Sequence, residues 1–512
     1  MSASREKNTR KDPSDIDWSN PKTAQAAKER KAAHRSNIMY ATIGIAFVVV
    51  AITAIIWRSG IFQKQTEAAV INDQPYTVAE VSYYFQNTYQ TFVNQNSAYL
   101  SYFGLDPQKP LRDQPYGADG KTWFDYFSDQ ALEQMKTIQA LNDAAAADGF
   151  TWTDEMDAQL KANTKDLDTY ASTVGYTGEQ YLRAIYGTTM SQKIYDEQTK
   201  RSMLAQAYAK SYEDSLTYTG DQLLTTYKAD PKAYDVADYE SIRISATPAA
   251  TTDADGKEVE VTDEMKADAL RTAQETADSL YASFKSGTSL SALAEGKDDL
   301  QYTNSEAAGY YDTVLVNWVF DDARSAGDSA VLADKEGGYY YLVSFHDRYR
   351  QDYNTVNVRH ILIAPATGTL KEGDEGYEAE LETLKADAKT KADDILAKWT
   401  AGDATEDSFA KLAMENSADG NAAQGGLYTQ VAKDTMVPTF NDWIYDAARK
   451  TGDTGIVETD YGFHVMYFSG TDLPFWETQV TANLKSADFD TWYTAKTADY
   501  TATASEGMQE LG

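Results

Sequence analysis

The stretch Trp318-Val-Phe-Asp-Asp-Ala-Arg-Ser-Ala-Gly-Asp328 returns 125 residues later as Trp443-Ile-Tyr-Asp-Ala-Ala-Arg-Lys-Thr-Gly-Asp453. The shared pattern WxxDxARxxGD marks an internal duplication. Working outward, Phe284-x-x-Gly287 is echoed by Trp399-x-x-Gly402 on the upstream side. Downstream, both copies close with a glycine turn and an aromatic strand, GGYYYLVSF and YGFHVMYF. Each copy opens on an alternating strand, DYESIRISA (238–246) and NTVNVRHILIA (354–364), followed by a polar insertion and a helix. Residues 236–348 and 355–469 therefore read as two α+β repeats.

Around the repeats the text is helical. In the segment 59–235, Thr77 and Glu80 have capping-box spacing, and Val81, Phe85, Thr88 and Phe92 share one face of the helix that follows. Leu132, Met135, Ile138 and Leu141 form another apolar stripe, and Thr153 before Asp154 and Glu155 signals a further helix start. The tail, 470–512, carries Trp476, Val480 and Leu484, then Phe489, Trp492 and Tyr493. An amphipathic helix at the chain's end needs a partner, so a helical lobe built from 59–235 and completed by 470–512 is expected, with the repeats inserted in it.

Near the N-terminus an uncharged run, Ile38–Trp57, is long enough to span a bilayer's hydrocarbon core. Nine of the 46 basic residues and five of the 79 acidic ones precede it. This predicts a disordered cytoplasmic tail (1–37), a single transmembrane helix (38–57) and a large extracytoplasmic domain at the cell membrane; a cleaved signal peptide is the competing reading. Beyond Arg58, 36 bases face 74 acids, a net −38. That surface repels nucleic acid. The absence of cysteine excludes disulfides, thiolate catalysis and cysteine-based metal sites. The chain also has no Gly-Lys-Ser/Thr phosphate loop, HExxH or Gly-x-Ser-x-Gly.

The second repeat resembles the parvulin-type peptidyl-prolyl isomerases. The resemblance rests on VRHILI (358–363), FAKLAMENSAD (409–419), Gly425-Gly426, Met436-x-x-x-Phe440, Lys450-Thr-Gly-Asp453 and Thr459-Asp-Tyr-Gly-Phe-His464. It implies a four-stranded sheet wrapped by helices, with a groove that takes proline. By the same resemblance His360 and His464 are the paired imidazoles of the active site, with Asp419 and Thr459 in their hydrogen-bond network. Leu362, Leu427, Met436 and Phe440 form the wall that receives the pyrrolidine ring. One departure concerns the glycine-rich stretch Gly425-Gly426-Leu427-Tyr428, which is one residue short before Met436. The whole arrangement resembles extracytoplasmic foldases of the PrsA and SurA type. It implies unfolded or newly exported proline-containing polypeptides as partners.

The chemistry agrees with the resemblance. Rotating an amide costs roughly 18–20 kcal/mol because resonance must be broken, and X–Pro bonds isomerise slowly enough to limit folding. Catalysis needs no metal, cofactor or nucleophile. It needs an apolar slot and polar groups that favour the twisted amide over the planar one. In the first repeat Ser241 takes the place of His360, Tyr339 or Tyr340 that of His464, and Leu315 that of Phe440. That repeat is expected to be inactive, and His346 to be a surface or linker residue. The alternative function for the chain is a non-catalytic holdase or a surface-assembly scaffold.

Overall fold

The computed structural model describes residues 66–248 and 260–511. They divide into two compact units, one reaching Ser215 and resuming at Asp488, the other running from Leu216 to Ala487.

In the first unit, β1 (Glu67–Ile71) is the centre of a three-stranded antiparallel sheet. It lies between β2 (Gln74–Thr77) and the strand Ala502–Ala504, so residues far apart in sequence share one sheet. Helix α1 (Val78–Gln95) starts in a capping box: Thr77 Oγ1 accepts from Glu80 N at 3.4 Å, and the Glu80 carboxylate accepts from Thr77 N at 2.8 Å. A two-strand ribbon, β3 (Pro115–Tyr116) and β4 (Lys121–Thr122), leads into α2 (Trp123–Ala147). Helices α3 (Asp154–Thr173), α4 (Gly178–Tyr186) and α5 (Gln192–Ser215) follow. The core gathers Ile71, Tyr84, Phe85, Trp123, Phe127 and Met135. Trp492 stacks on Tyr212 with ring centroids 4.2 Å apart.

The second unit opens with α6 (Gly220–Ala229), packed with Tyr234, Trp476 and Val480. It then builds two sheets by the same route. The first runs β5 (Val236–Ser245), α7 (Asp263–Lys285), α8 (Leu290–Ala294), β6 (Leu300–Gly309), α9 (Val314–Val319), β7 (Ser329–Asp334) and β8 (Tyr339–Tyr349). The second runs β9 (Asn354–Ile363), α10 (Tyr377–Ala401), α11 (Glu406–Asn416), β10 (Leu427–Val431), α12 (Pro438–Ile444), β11 (Thr454–Thr459) and β12 (Gly462–Pro474). Strand orders are β6-β5-β8-β7 and β10-β9-β12-β11, all antiparallel.

The duplicated motif now has a physical account. Arg449 lies 3.9 Å from the centre of the Trp443 ring, between Asp446 (3.5 Å) and Asp453 (3.8 Å). Arg324 does the same over Trp318 at 4.6 Å, with Asp321 and Asp328. Gly452 and Gly327 take φ of 92° and 89°, a region open to glycine, and donate their N–H groups to Phe468 and Phe345. The pattern thus ties the short helix to the last strand.

One expectation is corrected. The fold class read from the sequence included a transmembrane helix, yet among the described residues no helix is long and apolar enough to cross a membrane. Among the described residues the architecture is α+β. The reason is visible in the longest helices, α2 and α10: each buries one face and carries charged residues along the other, as helices on a water-exposed core must. The tail 1–37 and the run 38–57 lie outside the described residues.

Candidate active site

Alternation along β9 sends Ile361 and Ile363 to one face of the second sheet, under α10 and α11, and Val356, Val358 and His360 to the other. The antiparallel register opposes Met466 to His360 and His464 to Leu362, which puts the two histidines diagonally across one face. Their rings stack at 5.2 Å with 23° between planes, and the two Nδ1 atoms are 3.0 Å apart. Both residues are buried, at 2% and 5% exposure.

Each end of this pair has a polar neighbour. Thr459, at the end of β11, brings its Oγ1 to 2.9 Å from His464 Nε2. Asp419 sits in the connection Ser417–Gly426 and holds Oδ2 3.6 Å from His360 Nε2. That gap is too long for a hydrogen bond, and His360 Nε2 is buried without one, so the carboxylate acts on the ring through its charge. Asp419 Oδ1 accepts from Tyr428 Oη and from Asn421 N, both at 3.0 Å.

Electrostatics keep the rings neutral. Burial pushes the His464 pKa down to about 4, helped by His360 and opposed by Asp419. Burial also lowers that of His360, against the pull of Asp419. Burial would raise the Asp419 carboxyl, but the Asn421 N–H, His360 and the Tyr428 hydroxyl outweigh it and hold the group below its ordinary value. An anionic Asp419 facing His360 Nε2 assigns the proton there, since a bare lone pair would be repelled. His360 Nδ1 then accepts from His464 Nδ1–H, and His464 Nε2 accepts from the Thr459 hydroxyl. The chain of donors runs in one direction.

Phe440, from α12, stands edge-on to both imidazoles, its centroid 5.4 Å from each at 84° and 87°. Met436 and Val437 pack beside it, and Leu362 is half-buried on the same sheet face. Leu427 is placed differently. It pairs with Arg359, which puts it on the opposite face, and its neighbour Tyr428 pairs with Val358 and lies 5.4 Å from the His360 ring. In sequence Tyr428 is simply the residue that follows Leu427 in the glycine stretch; the side it faces is set by the register of β10 on β9. The glycine pair itself is a close-approach device. Gly426 has φ of 68°, and its Cβ would fall 2.1 Å from the His360 carbonyl oxygen, while its own carbonyl accepts from His360 N at 2.9 Å.

In the first sheet, Phe345 occupies the turn position of Phe468, so the register aligns Ser241 with His360 and Tyr341 with His464. The tyrosine at the second place is Tyr341, not Tyr339 or Tyr340, because the two final strands differ by two residues in the turn that precedes them. His346 is half-exposed with Nε2 3.4 Å from Glu240.

Residues 340–470 match the family of PPIC-type PPIASE domains. No curated protein matches the chain. Among solved structures it is similar to the peptidylprolyl isomerase PrsA of Bacillus anthracis, at 20% identity and a TM-score of 0.18, over 29% of this chain and 58% of that one. PrsA of Bacillus subtilis matches at 14% identity and a TM-score of 0.26, over 76% and 86% of the two chains. A Campylobacter jejuni protein described as SurA-like, from work on PEB4 and Cj1289, matches at 14% and 0.15, over 75% and 94%. The chain spans little more than half of the B. anthracis protein, and at these scores the assignment rests on the domain match. Residues 340–470 of this chain form a parvulin-type peptidyl-prolyl isomerase domain.

Proposed function

We propose that the His360–His464 pair is the catalytic network of this isomerase domain and that the chain acts as a foldase on exported polypeptides. The observation that carries the site assignment is the 3.0 Å contact between two neutral, buried imidazoles beneath Phe440. Phe440, Met436 and Leu362 offer the proline ring an apolar seat. A planar amide separates more charge than a twisted one, so removal from water disfavours the ground state relative to the transition state. The Thr459–His464–His360–Asp419 chain fixes donors and acceptors in advance, so no dipole has to reorient as the bond turns. Neutrality matters here, because a charged imidazole would draw water into the slot.

The foldase reading is supported by the first unit. Its segment after α1 exposes Tyr99 at 63%, Tyr102 at 86% and Phe103 at 43%. Large exposed aromatics suit loose contact with unfolded chains. The same observation favours a holdase contribution as a second reading. Work outside the cytoplasm is part of the proposal and is supported by the basic residues that precede the uncharged run Ile38–Trp57.

The test is a proline-limited refolding assay with the full chain. Acceleration of the slow phase that is lost in His360→Ala, with aggregation suppression kept, supports the enzyme. Suppression without acceleration in the unaltered protein sinks the enzyme and leaves the holdase. For location, protease added to intact cells should digest the two units; their protection would overturn export.

A further inference from the structure

Beside the histidine pair, α10, the start of α12 and the turn between β11 and β12 enclose a groove of about 820 Å³. Thr459 belongs to both places. It lines the groove, and its hydroxyl contacts His464. The groove therefore adjoins the histidine pair through Thr459.

The groove's chemistry is two-sided. Leu381, Val437, Pro438 and Phe463 give it an apolar floor, while Glu378, Glu382, Glu458 and Asp460 put four carboxylates around it. Lys385 is the one cation among the lining residues, and its ammonium is bound to Glu458 at 2.5 Å. That contact raises the lysine's pKa, and Glu382 and Asp460 add to the effect. Three carboxylates remain after the ion pair is counted. Glu380, on the same helix, is spent elsewhere: it accepts the N–H groups of Thr369 and Leu370, each at 2.9 Å.

We infer that this groove selects a basic side chain, Lys or Arg, flanking the proline of the bound peptide. The inference rests on the isomerase reading of the adjoining site. A lysine or arginine has the matching build, with a methylene stem for the floor and a cationic head for the rim. Glutamate at that place meets like charge. The groups are exposed, so the preference must weaken as salt rises.

The test measures kcat/KM of the full chain on peptides in which Lys, Ala or Glu flanks the proline on either side. At low ionic strength the Lys peptide should exceed the Glu peptide by about tenfold, and the ratio should shrink in high salt. Glu382→Gln with Asp460→Asn should bring the ratio towards one, and Glu382→Lys should invert it. Asp298→Asn with Asp299→Asn, two exposed acids of the first repeat, should leave the ratio as it was. Activity on all peptides with no charge ranking overturns this inference alone. A ranking that the Asp298 and Asp299 changes abolish would assign it to overall charge and overturn the groove. No activity on any peptide is a failure of the isomerase reading itself.

Discussion

The two sheets of the second unit share strand order, helix order and the arginine-over-tryptophan turn, and differ where chemistry would be done. The first sheet reaches β6 from α8 through five residues, Glu295–Asp299. The second uses ten, Ser417–Gly426, and folds them back on β9: Ser417 Oγ accepts from Leu362 N at 3.0 Å and Ala418 N donates to the Leu362 carbonyl at 2.9 Å. That longer connection delivers Asp419 to His360. The first repeat has Ser241 and Tyr341 on the corresponding strands and lacks the segment that would bring a carboxylate to them. A scaffold can thus be kept by one motif while a site is gained or lost in a neighbouring loop.

The sharpest way to break this comparison is at Gly426. Gly426→Ala drives a methyl group into the His360 carbonyl oxygen at a positive φ, and should cost about 3 kcal/mol or more of the second repeat's stability. Thermal denaturation and amide exchange should show the second sheet loosening while the first keeps its protection. Next comes the pair itself. His464→Ala should lower isomerase turnover by about a hundredfold with the fold retained by circular dichroism. The reciprocal graft, Ser241→His with Tyr341→His, should create no activity in the His464→Ala background, since the five-residue connection supplies no Asp419. Activity appearing in that graft would refute the importance given to the loop.

Acid should separate the repeats more gently. The folded-state pKa of His464 lies near 4, below its ordinary value of 6.5. The unfolded chain then binds a proton first, so the second repeat's stability is intact above about pH 6.5 and declines as pH falls toward 4. Amide exchange at pH 4.5 should reach β9 and β12 before β5 and β8, while turnover by the folded protein should hold until pH nears 4, where His464 itself takes a proton. Equal exchange in both sheets would count against the buried neutral pair. The smallest effect tests what the repeats have in common. Arg449→Ala and Arg324→Ala should each cost roughly 1 kcal/mol, read from denaturant midpoints, because the same cation–aromatic turn is removed.

Much of the local design could be read along the chain. Thr77 and Glu80 announce their capping box by spacing alone, and the WxxDxARxxGD pair exposes the duplication without any coordinate, because capping and short turns depend on neighbours in sequence. Leu427 and Tyr428 mark the limit. Which of the two faces the imidazoles depends on how β10 registers against β9, and a one-residue slip exchanges the faces. The spanning question met a different boundary: the uncharged run near the start of the chain reads as a membrane helix, but it lies outside the described residues, and none of the described helices is long and apolar enough to cross a bilayer.

The sequence by itself determined the α+β alternation, the repeat and the kinds of side chain available for chemistry, all of which are encoded in short-range periodicity and spacing. Only the tertiary structure decided that His360 and His464, 104 residues apart, share a 3.0 Å contact, that Asp419 faces one of them and that Thr459 opens onto an acidic groove. Those facts come from strand register and loop return, which fix distances through packing between segments that no local pattern connects.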